Sequence, residues 1–457
     1  MAGNEITHPA LQRIAGLYES NRHLLDRQAP EYLVTLRQKA IQAFQKQGIP
    51  DFRNENYKYS DLTRLFSTES YRRNFYSESI DVNAQEVFSC DVPEFDTDVV
   101  FLVNGWFYDR NLLTGLFPKG VMVKSMKLAM VENRELVEPR LGKIADTDKD
   151  PLVALNSAFI QDGLFIYIPD HVVVEKPIQI INLLTSNDDL YVNQRNMVIV
   201  GRNSQAKIIF CDHTLTPHNF IPNNLTEVEL GEDAVVEIYN IQNHHNGTAN
   251  LSGLYISQKR NSRLLTNTIT LHGGVVRNNL SIIFNGEHCE AKVCGLALTD
   301  RNQHVDNYTY IEHAYPNCHS NQIYKNVLDD NSTGAFTGRI HVMPGAKKTE
   351  AYQKNNSVLL TKAAKMNTKP QLVIDNDDVK CSHGATVGQI NEEALFYLQT
   401  RGISEREARL MLMFAFAHEV MAEISIDKLR QSIDQLVNKR LRGEVSRCHD
   451  CKLECIK

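Results

Sequence analysis

Two periodicities divide the chain. Up to about residue 75, apolar residues recur three and four apart in HPALQRIAGLYESNRHLL and PEYLVTLRQKAIQAFQKQG, the spacing of one face of a helix. The second stretch begins at Pro30 and ends at Gly48-Ile49-Pro50, a fitting helix start and stop. From about 95 to 375 the apolar runs shorten, Val, Ile and Thr dominate, and Asn, Gly and Asp punctuate them. LTNTITL (265–271) alternates as a strand does, and TEVEL (226–230) puts Val228 and Leu230 on one face and Glu227 and Glu229 on the other. After 390 the helical spacing returns. Leu410, Phe414, Ala417, Met421 and Ile424 form one stripe, and Leu429, Ile433 and Leu436 form another. Ser404-x-x-Glu407, following Gly402, is a capping box.

The middle region also repeats. A turn residue and then a small residue open a strand in NSQAKII at 203, DAVVEIY at 233, NSRLLTN at 261, HCEAKVC at 288 and NCHSNQI at 317, at gaps of 30, 28, 27 and 29. A period near 28 in β-rich sequence argues for a solenoid, in which each coil buries its face on the next. The expected fold is mainly β: a right-handed parallel β-helix flanked by N-terminal and C-terminal α-helical regions. A β-sandwich with evenly spaced turns is the competing fold. The expected division is 1–90 for the N-terminal helical region, 91–385 for the β-helix core, and 386–457 for the C-terminal helical region with its Cys-rich tail.

Charge and composition narrow the function. The 457 residues carry 49 basic and 55 acidic side chains, a net charge of −6, so there is no basic footprint for nucleic acid. The sequence MAGNEITHPALQR lacks an apolar signal core, and LMLMFAFA at 410–417 is too short to span a bilayer. A cytoplasmic protein without a membrane partner is expected. Nine cysteines in so long a chain suit free thiols or ligands rather than a disulfide framework. GAKKT (345–349) lacks the P-loop spacing, and no G-x-G-x-x-G precedes a helix. Neither ATP hydrolysis nor a Rossmann-type dinucleotide site is expected.

The candidate chemistry centres on KCSHGATVGQ (380–389). Cys381 and His383 stand two apart, so on a strand they share a face, and thiolate with imidazole suits zinc, iron or an iron–sulfur cluster. Two ligands leave a site incomplete; Asp375, Asp377, Asp378 or a second chain would complete it. A Cys/His nucleophile pair and a Gly-rich corner with an exposed thiol are the other readings. His304, Asp306 and His313 in QHVDNYTYIEH, like His244-His245, are expected on a solvated face. In the tail CHDCKLEC, Cys448, Cys451 and Cys455 have ligand-like spacing and would hold zinc or part of a cluster, or else form a redox-sensitive terminus.

TKPQLVIDNDDVKCSHGATVGQINEEALFYLQTRGIS (368–404) resembles the SufB/SufD family of iron–sulfur cluster assembly proteins. GIPDFRNENYKYSDL (48–62), LNSAFIQDGLFIYIPDHVVVEKPI (155–178) and FTGRIHVMPGAKKTEAYQKNNSVLL (336–360) resemble it as well. The likeness covers nearly the whole chain, and the GATVG form resembles the SufD branch. It implies a β-helix between helical regions and a scaffold subunit without enzymatic activity of its own. The implied partners are a SufB-like sister subunit and a SufC-like ABC-type ATPase, the latter docked on the C-terminal helices. It further implies that His383, beside Cys381, faces the sister subunit where a transient iron–sulfur cluster or iron is held. A reduced flavin in the complex is a further implication, and the exposed solenoid ends suit a homodimer of the isolated chain. CHDCKLEC lies outside the matching motifs. A β-helix metal-dependent hydrolase or lyase acting alone through Cys381 and His383 is the alternative.

Overall fold

The computed structural model describes residues 9–67, 96–108 and 117–444. The chain starts with α1 (Pro9–Leu25), α2 (Glu31–Gln47) and the short α3 (Thr63–Ser67). Pro30 caps α2 at its start, and Gly48 ends it with φ of 77°, a left-handed conformation that glycine adopts at little cost. Within the β-rich region, α4 (Met126–Glu132), α5 (Arg134–Val137) and α6 (Pro151–Ala158) interrupt the strands.

Strands then build two long sheets. β1 (Asp98–Val103) pairs antiparallel with β2 (Trp106–Tyr108) at the start of one, and β3 (Met122–Ser125) with β4 (Leu164–Ile168) at the start of the other. The first sheet continues in parallel through β5 (Ile178–Leu184), β7 (Gln205–Thr214), β9 (Val235–Asn243), β11 (Arg263–His272), β13 (Glu290–Thr299), β15 (His319–Leu328), β17 (Thr349–Leu359) and β19 (Val379–Gly388). The second continues through β6 (Leu190–Val200), β8 (Phe220–Leu230), β10 (Ala249–Gln258), β12 (Val275–Phe284), β14 (His304–His313), β16 (Thr333–Val342) and β18 (Lys365–Ile374). Successive strands alternate between sheets, and each pairs with the strand two away. This is a parallel β-solenoid, as the repeat requires, and not a sandwich of antiparallel strands.

The repeat has a conformational basis. Asn203, Asp233, Asn261, His288 and Asn317 all have positive φ, from 54° to 59°. His171 and Lys348 extend the series at 62° and 55°. Asn and Asp tolerate this left-handed region better than most residues. Each backbone N–H donates one coil on: Asn203 to the Glu232 carbonyl, Asp233 to Arg260, Asn261 to Glu287. The small residues that follow (Ser204, Ala234, Ser262, Cys289 and Cys318) all turn into the interior.

Apolar side chains such as Ile180, Ile208, Ile238, Val293 and Phe336 fill much of the bore. Both outer faces are also covered. The N-terminal helices lie on the second sheet, where Ile14, Phe44, Tyr57 and Phe66 meet Tyr191, Ile221 and Leu251. At the far side α7 (Glu392–Thr400), α8 (Glu405–Met421) and α9 (Asp427–Leu441) follow the last coil. Met413, Ala417, Met421 and Ile433 pack on Ile241, Ile269 and Leu296 of the first sheet. Ser404 Oγ accepts from the Glu407 N–H at 3.2 Å, but the Glu407 carboxylate pairs with Arg442, so only half of the capping box forms. Glu227 on the second sheet is fully buried beneath the 142–145 segment. It pairs with the equally buried Arg195 at 2.7 Å and accepts from the N–H groups of Gly142 and Ala145. Among the described residues no helix is long and apolar enough to cross a membrane.

Candidate functional site at the open end of the solenoid

β18 and β19 are the last strands of their sheets, and neither has a further strand neighbour among the described residues. β19 pairs with β17 only, and every residue from Ser382 to Gly388 is exposed. The uncapped edge leaves its backbone N–H and C=O groups free to pair with another chain.

Cys381 and His383 sit on this edge. Cys381 stacks on Ala351 and Ser320 in the two coils beneath, and His383 stacks on Gln353 and Gln322. All four underlying side chains are buried. The strand period of two therefore points both candidate ligands inward, across the mouth of the bore. Cys381 is half-buried against Ile340, Ala346 and Leu372, and burial pushes its thiol pKa up. His383 lies higher and is exposed.

The acidic candidates do not join them. Asp375 lies in the exposed corner before β19, where its carboxylate meets His341 Nε2 at 3.2 Å. Asp377 and Asp378 are exposed in the same corner. Among the described residues no three His, Cys, Asp or Glu side chains converge as a metal set would. A half-buried thiol and an exposed imidazole side by side on an unpaired edge suit a ligand set completed from outside this chain. Cys448, Cys451 and Cys455 lie outside the described residues.

The other histidine candidates are not on solvated faces. Asp306 is buried and pairs with Arg277, which also donates to the Asn56 carbonyl at 2.7 Å. His304 takes Ser60 and Thr333 as hydroxyl partners. His313 is fully buried, 2.9 Å from Ser320 Oγ, and burial lowers its pKa to about 3. His244 is buried as well, with His245 half-buried beside it. The reason is common to all of them: helices or the bore cover the faces that alternation alone would leave to water.

That burial also explains one of the sequence motifs. Along 48–62, Tyr57 donates to both Asp150 oxygens at 2.9 Å, its ring lies 4.3 Å below the Arg277 guanidinium, and Ser60 donates to Asp306. The segment is a polar clasp that holds the N-terminal helices to the second sheet. In 155–178, Gly163 has φ of 149°, and a Cβ there would come within 2.0 Å of the Arg195 carbonyl oxygen. Asp162 next to it accepts from the N–H groups of Phe107 and Lys127. Sequence reasoning missed Gln353 and Gln322 beneath His383. Their signal was available: at the same inward position the earlier coils carry Ile208, Ile238, Thr266 and Val293.

Comparison with known proteins agrees with the motifs. Residues 183–416 match the family model for the SUF system FeS cluster assembly SufBD core domain, and residues 9–180 match the SufBD protein N-terminal region. The chain is 28% identical over 417 residues to an iron–sulfur cluster assembly SufBD family protein of Synechocystis sp., covering 89% of this chain and 91% of that one. To the iron–sulfur cluster assembly protein SufD of Bacillus subtilis it is 26% identical, over 71% of this chain and 75% of that one. To SufD of Escherichia coli it is 39% identical over 178 residues, or 39% of this chain and 42% of that one. With a solenoid core and an N-terminal region that both match, this chain belongs to the SufBD family of iron–sulfur cluster assembly proteins.

Proposed function

We propose that this chain is a SufD-type scaffold subunit whose open solenoid end pairs with a sister SufB-type subunit to hold a nascent cluster. The observation that carries the reading is the placement of Cys381 and His383: two ligands, facing inward, on an edge strand with an unpaired side. Iron or an iron–sulfur cluster is the cargo, and the sister chain supplies the remaining ligands. Imidazole binds iron less tightly than thiolate does, and the Cys381 thiol must lose its proton against the pull of burial. Both features favour release, which a scaffold needs. Pairing of β18 and β19 with another chain would also remove the solenoid's exposed edges; a homodimer would serve the isolated chain in the same way.

The ATPase partner fits the C-terminal helices. Phe396, Tyr397 and Met411 are large apolar side chains that stand exposed on α7 and α8, as a docking face requires. The energy source would then lie on a different chain, consistent with the missing P-loop.

Anaerobic purification of the tagged protein from its own cytosol, with mass spectrometry of co-eluting chains, tests the assembly. Co-elution of a P-loop ATPase and a second β-solenoid chain is expected. A lone chain that carries metal would favour a hydrolase or lyase working alone. His383→Ala should leave the fold intact and lower cluster yield in the co-expressed complex; an unchanged yield would remove His383 from the site.

A further inference from the structure

Beneath His383 the bore is polar for two coils. Gln353 is 3% exposed, and neither its Oε1 nor its Nε2 has a hydrogen-bond partner among the described residues. Gln322, one coil further in, is fully buried. Its Oε1 accepts from Thr309 Oγ1 at 2.8 Å, and its Nε2 has no partner. Below Gln322 the column ends on Val293, part of the apolar core. Buried amides without partners are costly, about 1–3 kcal/mol for each unsatisfied group. Such groups point to a role.

The column is built rather than tolerated. Gln353 reaches across the bore to Gly338 on β16, where a Cβ would lie 2.2 Å from Nε2 and 2.6 Å from Cδ. Gly338 sits in register with Thr309 below and Pro370 above. On the opposite sheet Gln353 stands between Gln322 and His383. The Gln353 amide is therefore housed by the missing side chain of Gly338, in the coil beneath His383.

The hydrogen-bond sense follows from the bottom. Thr309 donates to Gln322 Oε1, which leaves Gln322 Nε2–H an unused donor in the coil beneath Gln353. Gln353 Oε1 has two lone pairs. One can receive Gln322 and the other an imidazole N–H. A histidine whose inner nitrogen carries the proton keeps the lone pair of its outer nitrogen for a metal, and such partners fix ring orientation and tautomer.

We propose that Gln353 is the positioning residue of His383, accepting the inner imidazole N–H so that the other ring nitrogen faces the mouth as a ligand. The proposal rests on His383 being an iron ligand, but the orientation it assigns is a property of this chain alone.

The test is the tautomer of neutral His383, read from 15N shifts in full-length protein labelled on histidine and assigned by the signal that His383→Ala removes. One tautomer should dominate in the wild type. Gln353→Met, similar in length and without an acceptor oxygen, should shift the tautomer ratio by about 2- to 12-fold, the effect of one net hydrogen bond. Gln353→Glu, which keeps an acceptor, should restore the wild-type preference. An unchanged ratio in Gln353→Met, or an equal loss in Gln353→Glu, would overturn the proposal. So would a wild-type ratio equal to that of a free imidazole, whether or not the variants fold. If His383→Ala leaves cluster assembly intact while Gln353→Met still shifts the tautomer, the ligand reading fails and the positioning stands.

Discussion

Replacing Gly338 with alanine adds one methyl group at a crowded point of the bore. Its position is fixed on both sides by the parallel register with Thr309 and Pro370. The new Cβ would stand 2.2, 2.6 and 2.8 Å from Nε2, Cδ and Oε1 of Gln353. Ordinary van der Waals contact needs about 3.5–4.0 Å, so the amide must move by about 1 Å or more. Overpacking of this kind costs about 1–3 kcal/mol. Gln353→Ala alone also destabilises, because it empties the same space. In the double variant the alanine methyl groups face each other across that space, so the two costs should not add. A coupling of about 1–2 kcal/mol in the favourable direction is expected, within the range for touching residues. Urea denaturation of the four proteins of the cycle measures it. Melting temperature is a blunt readout here. At about 2.1 cal/mol/K per residue, a 457-residue chain unfolding as one unit shifts by about 1 °C for each kcal/mol. If Gly338→Ala is neutral, or if the two substitutions add, the Gln353 amide does not occupy the space assigned to it.

Asp212 and Asp306 give two further tests. Asp212 is buried in the bore, held by Asn182 Nδ2 at 2.6 Å with His244 Nε2 at 3.8 Å, and burial raises its pKa from 3.8 to about 6. The native state then keeps a proton that the unfolded chain releases near pH 4, so stability falls as pH rises from about 4 to 6 and is level above. About two pKa units correspond to about 3 kcal/mol. Asp212→Asn should gain up to about that much at pH 7 and little at pH 4; a pH-independent gain in denaturation experiments would refute the assignment. Asp306→Ala leaves the buried Arg277 guanidinium without its carboxylate, a loss of about 3–5 kcal/mol. Since that pair anchors residues 56–60, limited proteolysis should cut first within 48–62, and a wild-type digestion pattern would show that the clasp does not hold the N-terminal helices.

Much of the fold was legible because each element obeyed a local rule. The three- and four-residue spacing marked α1, α2, α8 and α9, and Pro30 and Gly48 marked the ends of α2. The repeat was legible for a sharper reason: the left-handed corner recurs in every coil, and Asn or Asp fills it at 203, 233, 261 and 317. His288 and Lys348 hold the same conformation with residue types that do not announce it. Burial was less legible, because alternation shows that a strand has two faces but not what covers each. Glu227, Asp306, His244 and His313 read as surface residues by type and are buried by helices or the bore, with Arg195, Arg277 or hydroxyl groups as their long-range partners. Those partners lie 7 to 246 residues away in sequence, so no window of residues contains both members of the more distant pairs.

The site shows the same division. Cys381 and His383 could be singled out from their spacing, because two residues apart on a strand means one face. Which face it is depends on register, and register is a property of the stack. Only the alignment of His383 over Gln353 and Gln322, and of Cys381 over Ala351 and Ser320, turns both side chains inward. The same alignment explains why the stretch at 336–360 carries both Gly338 and Gln353. They are fifteen residues apart in sequence and face each other across one coil. The glycine makes room, the amide fills it, and the next coil places His383 on top. At the start of the solenoid the sheets end in the short antiparallel strands β2 and β3, and α4 and α5 pack on Phe165, Met197 and Ile199 of the second sheet. At its other end the sheets stop at β18 and β19. An edge of ten residues that leaves backbone donors and acceptors unpaired beside the two candidate ligands, Cys381 and His383, is a liability for a protein working alone. Joined to a second chain, the same edge would become a binding site, and an unpaired ten-residue strand that carries both candidate ligands is the physical reason for proposing that the chemistry of this protein lies at an interface.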